Sequence, residues 1–274
     1  TEGRYIRYYN HNLRLWFCGG YSGDGGPAIS AAVNQPSDVK IDKLGNIYIA
    51  DKNNTAIRKI DTSGIITSIV GIGQIGMPMG LAIDEKTGDV FFSDYSNNFI
   101  RKVTSGGAMS IVAGNGNIGY TGDGGSALSA TFNGPIGLAF DGSGNLFVSD
   151  SYNNVVRRID TAGIISTYAG NGIAGYSGDG GLAHLARLDL PWGLTFDENG
   201  SLYIGDNYNS VVRKVSLITS AENVVEAHSL MVYPNPASSV IKIQAGKEIY
   251  KVKITDILGN EVTPLCPSDI SPKG

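Results

Sequence analysis

GPIGLAFDGSGNLFVSDSYNNVVRRIDTAGIISTYAG, residues 134–170, divides into four short apolar runs at 136–140, 145–149, 155–159 and 164–169. Each run has the length of a β-strand and is rich in aliphatic, β-branched and aromatic residues. The separators DGSGN, DSYNN and DTAG are built from Gly, Asn and Asp, which tolerate the dihedrals of tight turns. The stretch reads as one four-stranded antiparallel meander.

The pattern returns along the chain. PSDVKIDKLGNIYIADKNNTAIRKIDTSGIITSIVG begins at Pro36 and PMGLAIDEKTGDVFFSDYSNNFIRKVTSGGAMSIVAG at Pro78. PWGLTFDENGSLYIGDNYNSVVRKV begins at Pro191 and stops after its third strand. Residues 3–19 read as the back half of one more module, with a third strand at 5–9 and a fourth at 13–18. An arginine on each third strand marks the register: Arg58, Arg101, Arg157 and Arg213. The step is about 43 residues once and about 56 twice, at or just above the period of propeller blades. The longer step comes from an inserted loop, GYSGDGG at Gly20, GYTGDGG at Gly119 and GYSGDGG at Gly175. An Ala-x-x-Ala-x-apolar run follows each copy, ending at Val33, Phe132 and Leu188, and its spacing predicts one short helical turn. The module at Pro78 has only GIGQIGM in that place.

A lone meander cannot bury both faces. Meanders stacked side by side around an axis can, and the crowded inner strands then need small residues. Gly80-Leu81-Ala82, Gly137-Leu138-Ala139 and Gly193-Leu194-Thr195 meet that need. The expected fold is all-β, a β-propeller of four to six blades.

The repeated text P-x-G-L-A-F-D-x-x-G-N-L-Y-V-A-D-x-x-N-N-x-I-R-K-I-D resembles the NHL-repeat family, in the bacterial and teneurin-like form that carries the GYSGDGG loop. The resemblance covers residues 1–217 and implies a propeller, usually closed with six blades. This chain supplies four modules and a half. Either further blades lie upstream, or residues 13–18 complete the last module in a four-bladed ring, and self-association to complete the propeller is a third route. Residues 218–229 lack a period and read as a linker. In 230–274, YPNP at Tyr233 and Asp256-x-x-Gly259-x-x-Val262 resemble the C-terminal sorting domain of type IX secretion, a small immunoglobulin-like β-sandwich, here truncated. That resemblance implies export across the outer membrane of a Gram-negative bacterium, to the cell surface or beyond it.

The 274 residues carry a net charge of −4, which argues against a nucleic-acid surface. No apolar run approaches the roughly 20 residues of a transmembrane helix. The absence of an initiator Met and of a signal peptide leads us to expect a mature chain or a fragment. Cys18 and Cys266, at opposite ends, make neither a disulfide framework nor a metal site.

Few motifs carry chemistry. G-x-G-x-x-G occurs at Gly71, Gly114 and Gly170, but a dinucleotide site needs a helix after the glycines, so we assign these to turns. Asp42, Asp84, Asp141 and Asp197 end the first strands and read as hairpin residues. The recurring arginines read as inter-blade ion pairs or stacking partners. His11, His184 and His228 are scattered in register, unlike the ligands of a zinc enzyme. The best candidates lie between second and third strands: Asp51, Asn53, Asp94, Tyr95, Asp150, Tyr152, Asn153, Asp206 and Tyr208. We expect these on one face around an axial funnel, together with Asp24, Asp123 and Asp179 of the inserted loops. Such a face could stack and hydrogen-bond a glycan or protein segment. Asp51, Asp94, Asp150 and Asp206 could alternatively offer oxygen ligands to Ca2+, or each Asp could simply accept N–H groups of its own turn. The leading expectation is a secreted or cell-surface binding module with a glycan or protein ligand. The alternatives are a Ca2+-assisted lactonase, hydrolase or polysaccharide lyase, or an adhesive spacer. No catalytic constellation stands out.

Overall fold

The structure, a computed structural model, describes residues 20–216. The half-module at 3–19, Cys18, Cys266, the linker and the sorting-domain stretch lie outside the described residues. Within them the chain forms four antiparallel sheets in sequence order. The first holds β1 (Asp38–Ile41), β2 (Ile47–Asp51), β3 (Ala56–Ile60) and β4 (Ile66–Val70). The second holds β5 (Pro78–Ile83), β6 (Val90–Asp94), β7 (Phe99–Val103) and β8 (Met109–Ala113). The third holds β9 (Pro135–Phe140), β10 (Leu146–Asp150), β11 (Val155–Ile159) and β12 (Ile165–Ala169). The fourth shows β13 (Pro191–Phe196), β14 (Leu202–Asp206) and β15 (Val211–Val215). Register repeats from blade to blade: Arg58 pairs with Ile49, Arg101 with Phe92, Arg157 with Val148 and Arg213 with Ile204.

Short side chains set the turns. Asp141 Oδ1 accepts the backbone N–H groups of Ser143 and Asn145, and Asp42 and Asp197 do the same two and four residues on. The turn from second to third strand is a single three-ten turn in the first three blades and a plain turn in the fourth, and it ends on a left-handed residue: Thr55, Asn98, Asn154 or Ser210. Asn is among the few non-glycine residues that adopt this conformation readily.

The innermost strands pack in order, β1 on β5, β5 on β9 and β9 on β13, around one axis, giving a β-propeller. Each interface buries one face of a blade against the opposite face of the next. Tyr48, Ala50 and Ile57 meet Leu81, Val90 and Phe92; Phe91 and Ile100 meet Leu138, Leu146 and Val148; Phe147 and Val156 meet Leu194, Leu202 and Ile204. The inner strands come so close that a Cβ on Gly80 would lie 2.2 Å from the Ile136 carbonyl oxygen, and one on Gly137 2.0 Å from that of Trp192. Ser93 and Ser149 hydroxyls donate to the same two carbonyls. Among the described residues a Cβ on Gly193 would meet nothing within 4 Å, and Gly205 stands where the earlier blades have Ser93 and Ser149.

The inserted loops form straps. Each leads into the inner strand of its blade, and in blades 1 and 3 it first runs along the outer strand of that blade. Gly25 N–H donates to Ile66 O and Ile66 N–H to Gly26 O, and Gly124, Ile165 and Gly125 repeat the exchange on β12. The expected helical turn is present as three-ten helices at Ala28–Ser30, Ala127–Ser129 and Ala183–Leu185. Phe132 and Leu188, both buried, then wedge between consecutive blades. Blade 2 has no strap, and Ile75 of its short connection fills the wedge position.

Gly137→Ala should lower the unfolding free energy by about 1–3 kcal/mol in urea titration, the usual range for overpacking. Gly193→Ala, where among the described residues an added Cβ meets nothing within 4 Å, should change it by less than about 1 kcal/mol.

Candidate functional site

The predicted loop residues are assembled alike in every blade. Asp51, Asp94, Asp150 and Asp206 end the second strands and are fully buried. Each carboxylate accepts a backbone N–H from the segment leading into its own blade: Asn34 at 2.7 Å, Gly76 at 2.9 Å, Asn133 at 2.8 Å and Asp189 at 2.7 Å. Each also accepts the side-chain amide of the Asn three residues on, at Asn54, Asn97, Asn153 and Asn209. The third donor is the register arginine, through Nη1 of Arg58, Arg157 and Arg213 at 3.3–3.5 Å and through Nε of Arg101 at 2.8 Å.

The arginines of strapped blades reach further. Arg58 Nη2 donates to Ser22 O and to Asp24 Oδ1, both in the strap, and Arg157 Nη2 does so to Thr121 O and Asp123 Oδ1. Arg213 pairs with Asp179 and Ser177 O. A strap tyrosine stacks on each guanidinium, with Tyr21, Tyr120 and Tyr176 centroids 4.7–5.1 Å away. These arginines therefore hold a blade to its own strap, rather than one blade to the next as the sequence led us to expect. Arg58 and Arg157 are completely buried, and their Nε atoms have no acceptor among the described residues.

This geometry corrects the metal reading. Asp51, Asp94, Asp150 and Asp206 face into their own blades and are saturated by N–H donors, so they do not converge on the axis. Among the described residues no three acidic, His or Cys side chains are placed to share an ion. Asp24, Asp123 and Asp179 lie at the outer edge beside the arginines, not around the funnel; Asp123 also accepts Thr167 N–H on β12. Burial pushes the Asp150 carboxyl up to about 6, against the downward pull of the Asn133 N–H, Asn153 and Arg157.

What reaches the surface is aromatic. Tyr152 and Tyr208 are 51% and 68% exposed. The Tyr95 hydroxyl lies 3.2 Å from that of Tyr152, with ring centroids 6.4 Å apart, so the two rings bridge blades 2 and 3. Gly134 makes the pair possible: a Cβ there would come within 2.6 Å of the Tyr152 ring and 3.0 Å of Tyr95. Its N–H is held by Asn98 Oδ1. Asn53 is exposed, whereas Asn153 is occupied by Asp150 and by Gly119 O. Of nine candidates, four thus keep an available polar or aromatic surface: Asn53, Tyr95, Tyr152 and Tyr208.

Two features escaped the sequence reading. Trp192, 43% exposed, is the second residue of β13. An open cavity of about 660 Å³ occupies the other mouth of the axis, walled by Ala82, Leu138, Ala139 and Leu194 and rimmed by Asp84, Glu85, Asp141 and Asp197. The small residues repeated on successive inner strands marked the axis, but not the width of its mouth. The G-x-G-x-x-G glycines serve turns: Gly73, Gly114, Gly116, Gly170 and Gly172 have positive φ, and at 114 and 170 a strap follows in place of a helix.

Arg157→Met should cost about 3–5 kcal/mol in urea unfolding, because it leaves the Asp150 carboxylate buried without its cation. A raised carboxyl pKa disfavours the ionised folded form. The stability linked to Asp150 is therefore full below about pH 4 and is lost as pH rises through about 6. Relative to Asp150→Asn, which does not titrate, the wild type should gain up to about 3 kcal/mol between pH 7.5 and pH 4.

Residues 17–76 match the family described as the Teneurin NHL domain, and residues 231–268 the secretion system C-terminal sorting domain. Mouse Teneurin-3 is 30% identical over 230 residues, and human Teneurin-4 is 28% identical over 246. These alignments take in 71% and 76% of this chain but only 8% and 9% of the teneurins. A Bacteroides thetaiotaomicron structural-genomics protein of unknown function superposes with a TM-score of 0.58 at 23% identity, over 64% of this chain and 46% of its own. An auxiliary nutrient binding protein from Bacteroides ovatus gives 0.55 at 19% identity, over 67% and 48%. The chain spans about half the length of these solved propellers, and at such identities they show the fold alone. The repeated blade, its strap and the two sequence matches make this chain an NHL-type β-propeller with a C-terminal sorting domain.

Proposed function

We propose that this chain is a binding module that works outside the cell and takes a glycan or an extended protein segment on the loop face bearing Tyr95, Tyr152 and Tyr208. The observation that carries the reading is the division of labour within the loops. The carboxylates are spent on the fold, and the tyrosine rings stand outward on a rigid bed. Rings of this kind, apolar on the face and polar at the hydroxyl, suit the C–H faces and hydroxyls of a sugar or the side chains of a peptide. A ring held on Gly134 loses little freedom on binding, which favours affinity. The sorting-domain match at 231–268 supports secretion or surface display. The B. ovatus protein of the same fold is a nutrient binding protein, which agrees with this reading. A Ca2+-assisted hydrolase draws no support from the described residues, since the carboxylates meant to bind the ion already accept N–H groups.

The test is a glycan array and a surface-protein pull-down with the whole chain, comparing wild type with the Tyr152→Ala/Tyr208→Ala double variant. Loss of at least tenfold in affinity for captured ligands, with an unchanged melting temperature, is expected. Undiminished binding would remove the tyrosines from the site.

A further inference from the structure

Three of the four blades are entered through a strap, and blade 2 is not. Along β4 and β12 the strap pairs with the outer edge: Ile66 and Ile165 each give their N–H to a strap glycine carbonyl and take a strap glycine N–H on their own carbonyl. By register Met109 occupies the same place on β8, opposite Val103 as Ile66 is opposite Ile60 and Ile165 opposite Ile159. Among the described residues nothing pairs with the outward N–H and C=O of Met109. The side chains around it are exposed as well: Met109 by 38% and Ile111 by 39%. Ile111 replaces the hydroxyl residues Ser68 and Thr167, which elsewhere bond the strap tyrosine.

The arginine of blade 2 is free in the same sense. Arg101 reaches Asp94 through Nε and stacks on Phe99, 4.8 Å from the ring centroid. Its two Nη groups meet no acceptor among the described residues. In the strapped blades those groups are filled by two strap carbonyls and a strap Asp. Blade 2 therefore keeps the receiving half of an interaction whose donated half the same molecule displays elsewhere.

We propose that the outer edge of blade 2 is a docking site for an extended, glycine-containing acidic segment of a partner protein. The segment adds a strand along Met109–Ile111, seats a carboxylate on the Nη groups of Arg101, and lays an apolar side chain on Ile111. Exposed strand edges take up peptides in this way, with main-chain bonds giving affinity and side-chain seats giving specificity. The site is separate from the tyrosine face and stands or falls without it.

The probe is a synthetic peptide copying residues 119–130, GYTGDGGSALSA, labelled and titrated against the full chain by fluorescence polarisation, with amide exchange of Met109 followed in parallel. Saturable binding, protection of the Met109 amide on peptide addition, and at least tenfold weakening by Asp→Asn in the peptide are expected. Met109→Pro, which removes the outward N–H without removing a hydrogen bond to β7, should abolish binding. Arg101→Gln should weaken it as much as the peptide Asp→Asn change does. Absence of binding at millimolar peptide, or binding indifferent to both Met109→Pro and the peptide Asp→Asn change, would overturn the proposal. So would a Met109 amide already protected in the free chain, which would show that the protein's own residues cover the edge.

Discussion

A carboxylate without water must be matched by donors, and this molecule meets that demand once in each blade. Asp51, Asp94, Asp150 and Asp206 sit at full burial and are each answered by a backbone N–H, an Asn amide and an arginine. The three donors come from three parts of the blade: the incoming chain, the loop and the third strand. One side chain therefore fixes where a blade begins, where its second strand turns and how its third strand is set. Removing a donor leaves an ion in an apolar place, so the set is conserved by physics from blade to blade even where the surrounding residues change.

Between blades the constraint is steric. The inner strands meet with backbone against backbone, and only glycine fits at Gly80 and Gly137. Large apolar residues on the outer parts of the sheets, with Ile75, Phe132 or Leu188 driven between them, then give each pair its wedge shape. The donors that close one blade and the glycines that join two are independent, so the same local rules repeat without a global template.

The fold was legible because it is written four times. Alternation in 134–170, turn residues at fixed offsets and the arginine register gave strands whose ends differ from the observed ones by a residue or so. The site was harder to read. An Asp followed by Asn looks alike whether it faces water or the core, and the sequence contains no mark of burial. The arginine seven residues on was that mark: a buried carboxylate needs a cation, and Arg157 lies seven residues after Asp150 as Arg58 does after Asp51. Which residues lie under the tyrosines was likewise hidden, because Gly134 is one glycine among many until its neighbours are known. The cavity at the opposite mouth depends on how closely four distant strands approach, and no local pattern encodes that distance.

The strap has a consequence for how such a ring can diversify. It contributes edge pairing and a salt bridge at the perimeter, while the wall of the ring rests on strands and wedges that blade 2 retains without it. Blade 2 shows that one unit can lack this piece while its wedge position stays filled, by Ile75. Variation of that kind would turn a row of near-identical units into a set of individually addressable ones, each distinguished by its outer margin.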